Sequence, residues 1–352
     1  MGIGDPDLPT PGFIVESLKQ AADNPKNYRY PDYQGLARFR AAVAGWYRRR
    51  FGVSLDSETE VCALIGSKEG IANFALAVVD PDDIVLVPDP GYPVYRTGCL
   101  FAGGRPYAVP LTKATGFRPE LEAIPQEVAR RAKLLWLNYP NNPTGATVEP
   151  VFFVQAVRFC LKNEIILAHD AAYSEISYDG YRAPSALEVE GARDCAVEFH
   201  SLSKTFSMTG WRLGFAVGNA QLIGALGKTK TNVDSGVFQA IQEAGITALE
   251  SNESGLYESC AVYQERRDLL VGALRGLGLD CETPRATFYV WAKVPKGYTS
   301  VSLAVKFLNE AGVVITPGSG YGKFGEGFVR FSFTLATPRL REALRRVQAL
   351  RL

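Results

Sequence analysis

The chain has 352 residues, of which 47% are hydrophobic, with 38 basic and 37 acidic side chains and a net charge of +1. That length is enough for about two domains and a large core, and the balanced charge argues against a polyanion-binding face or an acidic tail. Six singly spaced cysteines without a CxxC argue against a disulfide frame, and two distant histidines, His169 and His200, against a zinc site, so no metal is expected. The opening MGIGDPDLPTP lacks an apolar signal-peptide core, and no apolar run is long enough to span a bilayer. A cytoplasmic protein with reduced thiols is expected.

Residues 1–34 are rich in Pro, Gly, Asp and Tyr and read mostly as an extended arm. Leu36, Phe39, Val43, Trp46 and Tyr47 then share one helical face, and Gly52 can end that helix. The RRR run, Arg48 to Arg50, closes the same helix, where cations suit the dipole. From there apolar strands and helices alternate. VCALIGS is followed by a helix over about 69–79. DIVLVPDP, AKLLWLNYP, EIILAHD and CAVEFHSLS read as strands, PVFFVQAVRFCLKN as a helix, and WRLGFAVG as one further strand. Apolar strands separated by helices imply a mainly parallel sheet covered on both faces. After about residue 240 a long helix (about 254–275) and the short strands TFYVWAKV, VVITPG and FVRFSF suggest a smaller α+β domain. The expected division is a large domain over 31–240 and a small domain from 1–30 plus 241–352.

In such sheets ligands collect at the C-terminal strand ends. Polar clusters fall there: Gly66–Lys68, Pro90–Tyr92, Asn138–Gly145, Asp170–Tyr173 and Ser201–Lys204. In SLSKTFSMTGWRLG, Lys204 can form a Schiff base with a carbonyl, an amine chemistry helped by desolvation and by a nearby cation such as Arg212. Ser201, Ser203 and Arg212 can hold a phosphate. A reactive amine beside a phosphate site suggests pyridoxal phosphate. Asp170 can face its pyridine nitrogen, although an Asp at a strand end also caps helices. Asn142, in the turn NYPNNPTG, and Tyr173 can donate to the ring oxygen. Gly66 allows a tight turn into a helix whose N-terminal amides suit a phosphate. Tyr92 can stack on a flat ring, or simply fill the core.

These stretches resemble, in order, the motifs of the class I/II, fold-type I, pyridoxal-phosphate-dependent aminotransferases: YPDYQG, GSKEG, PGYPVY, NYPNNPTG, HDAAY, SLSKTFSMTGWRLG and GFVRFSF. The resemblance runs from GIGDPDLPTP to FVRFSF. It implies a seven-stranded-type, mainly parallel sheet flanked by helices, a smaller α+β domain, and a homodimer with sites at the interface. It implies Lys204 as covalent anchor and proton shuttle and Asp170 as partner of the pyridinium. Asn142 and Tyr173 would bond the ring oxygen, and Tyr92 would stack on the ring. The amides around Ser67 and Lys68, with Gly66, Ser201, Ser203 and Arg212, would form the phosphate cup. Tyr30 would reach the phosphate in the neighbouring subunit, to whose site residues 232–235 would also contribute. Arg330 would clamp the substrate α-carboxylate with its planar fork, beside Asn142 and the close backbone at Gly4. Family members usually carry a helical arm ahead of the GIGDPD-like segment. This sequence begins almost at the motif, so site closure and dimer stability are the expected points of departure.

The implied reaction is a ping-pong exchange of an amino group between an L-amino acid and a 2-oxo acid. Other aminotransferase substrates are the nearest alternative. A C–S lyase would share every cofactor motif but need no oxo-acid acceptor. A non-catalytic binding module, such as half of a transcription regulator, would carry a DNA-binding segment or a basic patch, and the sequence shows neither.

Overall fold

A computed structural model describes residues 1–251 and 254–352. Seven strands form the main sheet among the described residues: β1 (Val61–Leu64), β2 (Ile84–Asp89), β3 (Arg105–Pro110), β4 (Ala132–Asn138), β5 (Ile166–Asp170), β6 (Ala196–Ser201) and β7 (Gly214–Gly218). Their order is β1-β7-β6-β5-β4-β2-β3. Pairing is parallel from β3 through β6, whereas β7 runs antiparallel to both β6 and β1. The reason lies in the connections. Parallel neighbours need a crossover that carries the chain back along the sheet, usually through a helix. The link from β6 to β7 (residues 202–213) makes no such crossing and returns on itself, with Ser201 opposite Gly214 and the Leu202 amide donating to the Leu213 carbonyl at 3.1 Å.

Four helices flank the first half: α1 (Gly12–Ala22), α2 (Ala37–Phe51), α3 (Ser67–Val78) and α4 (Pro93–Phe101). Phe39, Val43, Trp46 and Tyr47 on α2 are buried with Phe153 and Phe215, and Gly52 ends the helix at φ 71°. On α3 and α4, Phe74 and Tyr95 pack with Trp136 and Phe199 of the sheet. Each strand of the sheet interior thus serves two apolar layers, which explains why strands such as LLWL read as continuous hydrophobic runs.

Several elements differ from the sequence reading. GFIVESLKQAA forms α1 instead of an extended arm, with Pro11 supplying the entry turn. RPYAVP forms the edge strand β3, whose exposed, proline-ended sequence suits an edge and carries little strand signal. Ile14 of α1 and Ala244, Ile246 and Leu249 of the helix Gln239–Glu250 share one buried cluster with Val43 of α2.

The smaller unit has a three-stranded antiparallel sheet in the order β8-β10-β9, from β8 (Tyr289–Lys293), β9 (Thr316–Pro317) and β10 (Phe328–Ser332). It packs under the long helix Ser254–Gly276 and the helices Ser300–Ala311 and Thr337–Gln348, with Phe288, Phe307, Phe331 and Leu340 in its core. The N-terminal segment joins this unit, since the Ser332 amide donates to the Met1 carbonyl at 2.8 Å and Thr316 Oγ1 to the Gly2 carbonyl at 2.9 Å.

Candidate active site

The C-terminal ends of β4, β5 and β6, the start of α3, the N-terminal segment and the β9–β10 face enclose a cavity of about 570 Å³. Gly4, Ser67, Lys68, Tyr92, Asn142, Asp170, Tyr173, Ser201, Ser203, Lys204, Arg212 and Arg330 all line it. Gly66 sits behind the wall, and Tyr30 lies outside the cavity of its own chain, 86% exposed.

Lys204 lies on the short helix Leu202–Thr205 that leaves β6, and its Nζ donates to the Gly4 carbonyl at 2.9 Å. Burial lowers its pKa to about 8, helped by the charges of Arg212 and Arg330 and opposed by Asp5. The amine is therefore partly free near neutral pH, as a nucleophile or base requires. Arg212 closes the same link. Its guanidinium donates to the Thr209 carbonyl at 2.7 Å and to Ser203 Oγ at 3.4 Å, and its backbone is left-handed (φ 56°, ψ 53°), a costly state for a residue with a Cβ.

Gly66 enters α3 at φ 75°, and a Cβ there would collide with the Arg212 guanidinium. Glycine is thus what lets the cation approach the free amides at the start of α3. Those amides, Ser201, Ser203 and Arg212 form one donor-rich pocket, suited to an anion.

Asp170 closes β5 and is 5% exposed. Burial raises its carboxyl pKa, and hydrogen bonds from Tyr95 and Ala172, with the charges of His169 and His200, work against that rise. Asn138 holds the Asp170 carbonyl through Nδ2 at 2.7 Å and accepts the Asn142 amide at Oδ1 at 2.8 Å, so the ends of β4 and β5 are tied together. Tyr173 shares a hydroxyl–hydroxyl bond of 2.7 Å with Tyr289, and burial pushes its phenol pKa well up.

Arg330 projects from β10, is 6% exposed, and lies over the Tyr289 ring at 4.1 Å. It donates to Asn142 Oδ1 and to the Gly2 carbonyl, each at 2.7 Å, while its Nε has no partner among the described residues. Gly4 permits this crowding, because a Cβ there would collide with Tyr289. Lys204, Arg212 and Arg330 thus face one cavity bonded to neutral oxygens, with no carboxylate paired to any of them among the described residues.

Sequence reasoning missed Asn138 as a lining residue, along with Asp5, Tyr289 and Tyr321. Asn138 lay within a cluster already singled out. The two tyrosines come from the small unit, where no motif marks them.

With this geometry the comparisons with known proteins agree. The family profile for aminotransferases of class I and II matches residues 1–347. The LL-diaminopimelate aminotransferase of Moorella thermoacetica is 57% identical over 348 residues, covering 99% of this chain and 89% of the relative. That of Aquifex aeolicus is 53% identical over 352 residues, covering 100% and 91%. A solved structure of a probable N-succinyldiaminopimelate aminotransferase from Thermus thermophilus is 36% identical with a TM-score of 0.93, covering 99% of this chain and 93% of that one. The chain belongs to the class I and II aminotransferase family and is a transferase. Among the described residues no group of side chains could hold a metal ion, and no helix is long and apolar enough to cross a membrane.

Proposed function

We propose that this enzyme is a pyridoxal-phosphate-dependent transaminase acting between LL-diaminopimelate and 2-oxoglutarate, or in the biosynthetic direction between tetrahydrodipicolinate and L-glutamate, in lysine biosynthesis. The observation that carries the reading is the convergence of Lys68, Lys204, Arg212 and Arg330, none of them paired with a carboxylate among the described residues, on the cavity that the buried Asp170 also lines. Cations that converge on one cavity without carboxylate partners leave it positive and suited to an anionic ligand.

The residues present fit the cofactor. Ser67, Lys68, Ser201, Ser203 and Arg212 would hold its phosphate. Tyr92 would stack on the ring, Asn142 and Tyr173 would bond the ring oxygen, and Asp170 would hold the proton of the ring nitrogen. When bound, pyridoxal phosphate supplies an aldehyde and an electron-withdrawing ring that acidifies the α-hydrogen of an amino acid.

The chain does the rest. Lys204 would be the covalent anchor of the cofactor and, as a free amine, would accept the proton from the substrate α-carbon on its Nζ. Arg330 takes the α-carboxylate in a two-pronged grip that orients that carbon toward Lys204. Tyr173, held by Tyr289, keeps a neutral hydroxyl at the ring oxygen. Tyr30, exposed like Tyr28 and Tyr33, would reach the phosphate of a second copy, which makes a homodimer the working unit of this reading.

The donor assignment is supported by the relatives from Moorella thermoacetica and Aquifex aeolicus. The test is an absorbance titration of cofactor-loaded enzyme with single amino acids and no acceptor. LL-diaminopimelate and glutamate are expected to convert the bound cofactor to its amine form, while aspartate, alanine and N-succinyl-diaminopimelate do not. Conversion by one of these instead overturns the donor assignment. Release of pyruvate and ammonia from cystathionine would make the enzyme a C–S lyase.

A further inference from the structure

We propose that Tyr95 is a positioning residue for Asp170: its hydroxyl fixes one carboxylate oxygen and leaves the other to face the cavity as an acceptor. The inference rests on the cofactor reading above and goes beyond it to a residue outside the cavity wall.

Asp170 has two oxygens with unequal surroundings. Oδ2 accepts from the Tyr95 hydroxyl at 2.7 Å. Oδ1 accepts only a long bond from the Ala172 amide at 3.3 Å, so it keeps most of its accepting capacity. An aspartate with neither oxygen fixed could rotate about its terminal torsion, which is broad and roughly two-fold. Tyr95 removes that freedom. A proton on the ring nitrogen of a bound cofactor then meets an oxygen of fixed direction.

Tyr95 can do this because packing fixes its own place. It is 1% exposed, stacked on Trp136 at 5.1 Å and 17°, and set edge-on to Tyr92 at 5.9 Å and 79°. Burial pushes its phenol well above the usual range, with the Asp170 charge adding to the rise, so it remains a proton donor. Tyr92 and Tyr95 stand three apart at the start of α4. One helical turn therefore supplies both a ring at the cavity wall and a hydroxyl at the acid behind it.

A structural role, in which the hydroxyl merely satisfies a buried carboxylate, makes a different prediction. The discriminating probe is the 1-deaza analogue of pyridoxal phosphate, which keeps the aldehyde and phosphate but lacks the ring nitrogen. Dissociation constants for both compounds are measured with the full-length wild type and with Tyr95→Phe. Loss of a hydrogen bond to a charged group is expected to weaken pyridoxal phosphate by about tenfold while leaving the analogue unchanged. Equal weakening of both compounds, or of neither, overturns the proposal. Tyr95→His keeps an N–H donor and guards against a phenylalanine variant that does not fold. It is expected to bring the ratio of the two affinities nearer the wild-type value than Tyr95→Phe, and a ratio matching that of Tyr95→Phe counts against a donor role. Wild-type protein that binds neither compound overturns the cofactor reading itself, a result distinct from any change confined to Tyr95.

Discussion

Lys204 and Lys230 are both withdrawn from solvent, yet their surroundings differ in kind. Lys230 is 0% exposed and pairs with Glu69 at 3.0 Å and Asp234 at 2.8 Å. Burial opposes its charge, and the two carboxylates outweigh that effect and raise its pKa. Lys204 has one neutral carbonyl as partner, and burial lowers its pKa to about 8. Two arginines repeat the contrast. Arg267 pairs with Asp179 at 2.5 Å and Asp268 at 2.7 Å, whereas Arg330 faces neutral oxygens with an idle Nε. Burial of a cation alone does not mark a site in this chain. Burial without a matching anion does, because the desolvation cost is then left for a ligand to offset.

The contrast is sharpest in what removal of each lysine should do. Lys204→Ala should lower transamination by roughly three orders of magnitude or more, since nucleophile and proton shuttle vanish together. Its denaturant midpoint at neutral pH should hold or rise, because no ion pair is broken and the penalty of burying the charged amine is removed; a large stability loss with residual full activity would reverse the assignment. Lys230→Met should do the opposite and destabilise by about 3 kcal/mol, the cost of leaving partnered carboxylates unpaired, as read by urea titration. Arg330→Lys should raise KM by about tenfold or more for every amino acid, since the two-pronged grip is lost; an unchanged KM would remove it from the carboxylate site.

The pH dependence refines the same point. Lys204 has a folded pKa of about 8, below its ordinary value of 10.5. A base with a depressed pKa is disfavoured in its charged form by folding, so its penalty is present below pH 8 and is relieved as pH rises toward the unfolded value. The rate at which pyridoxal phosphate reconstitutes cofactor-free protein should climb through a midpoint near 8, and Lys204→Ala should abolish that rise. At the other extreme, Lys19 forms an exposed pair with Glu16 on α1. Lys19→Ala should leave activity and unfolding midpoint unchanged, because solvent screens such pairs.

Much of this was legible in the sequence because strand ends carry the chemistry. Lys68, Asn142, Asp170 and Lys204 each follow an apolar run, and a parallel sheet gathers such ends on one edge. The direction of β7 was not legible, since WRLGFAVG has the same apolar pattern whichever way it runs. Neither was α1, whose flanking prolines hid a short helix. Tyr289 and Tyr321 reach the cavity from a unit folded separately in sequence, and no local pattern announces such an approach. Tyr95 had a faint signal, three residues after Tyr92, but its partner Asp170 is 75 residues away.

The tight return from β6 to β7 has a further consequence for how the sequence can change. Lys204 and Arg212 both lie within it, and its ends are pinned by one backbone bond between Leu202 and Leu213. Its length is constrained along with Ser203, Lys204 and Arg212 themselves, because one inserted residue would move the cation relative to the amine while both strands stayed in register.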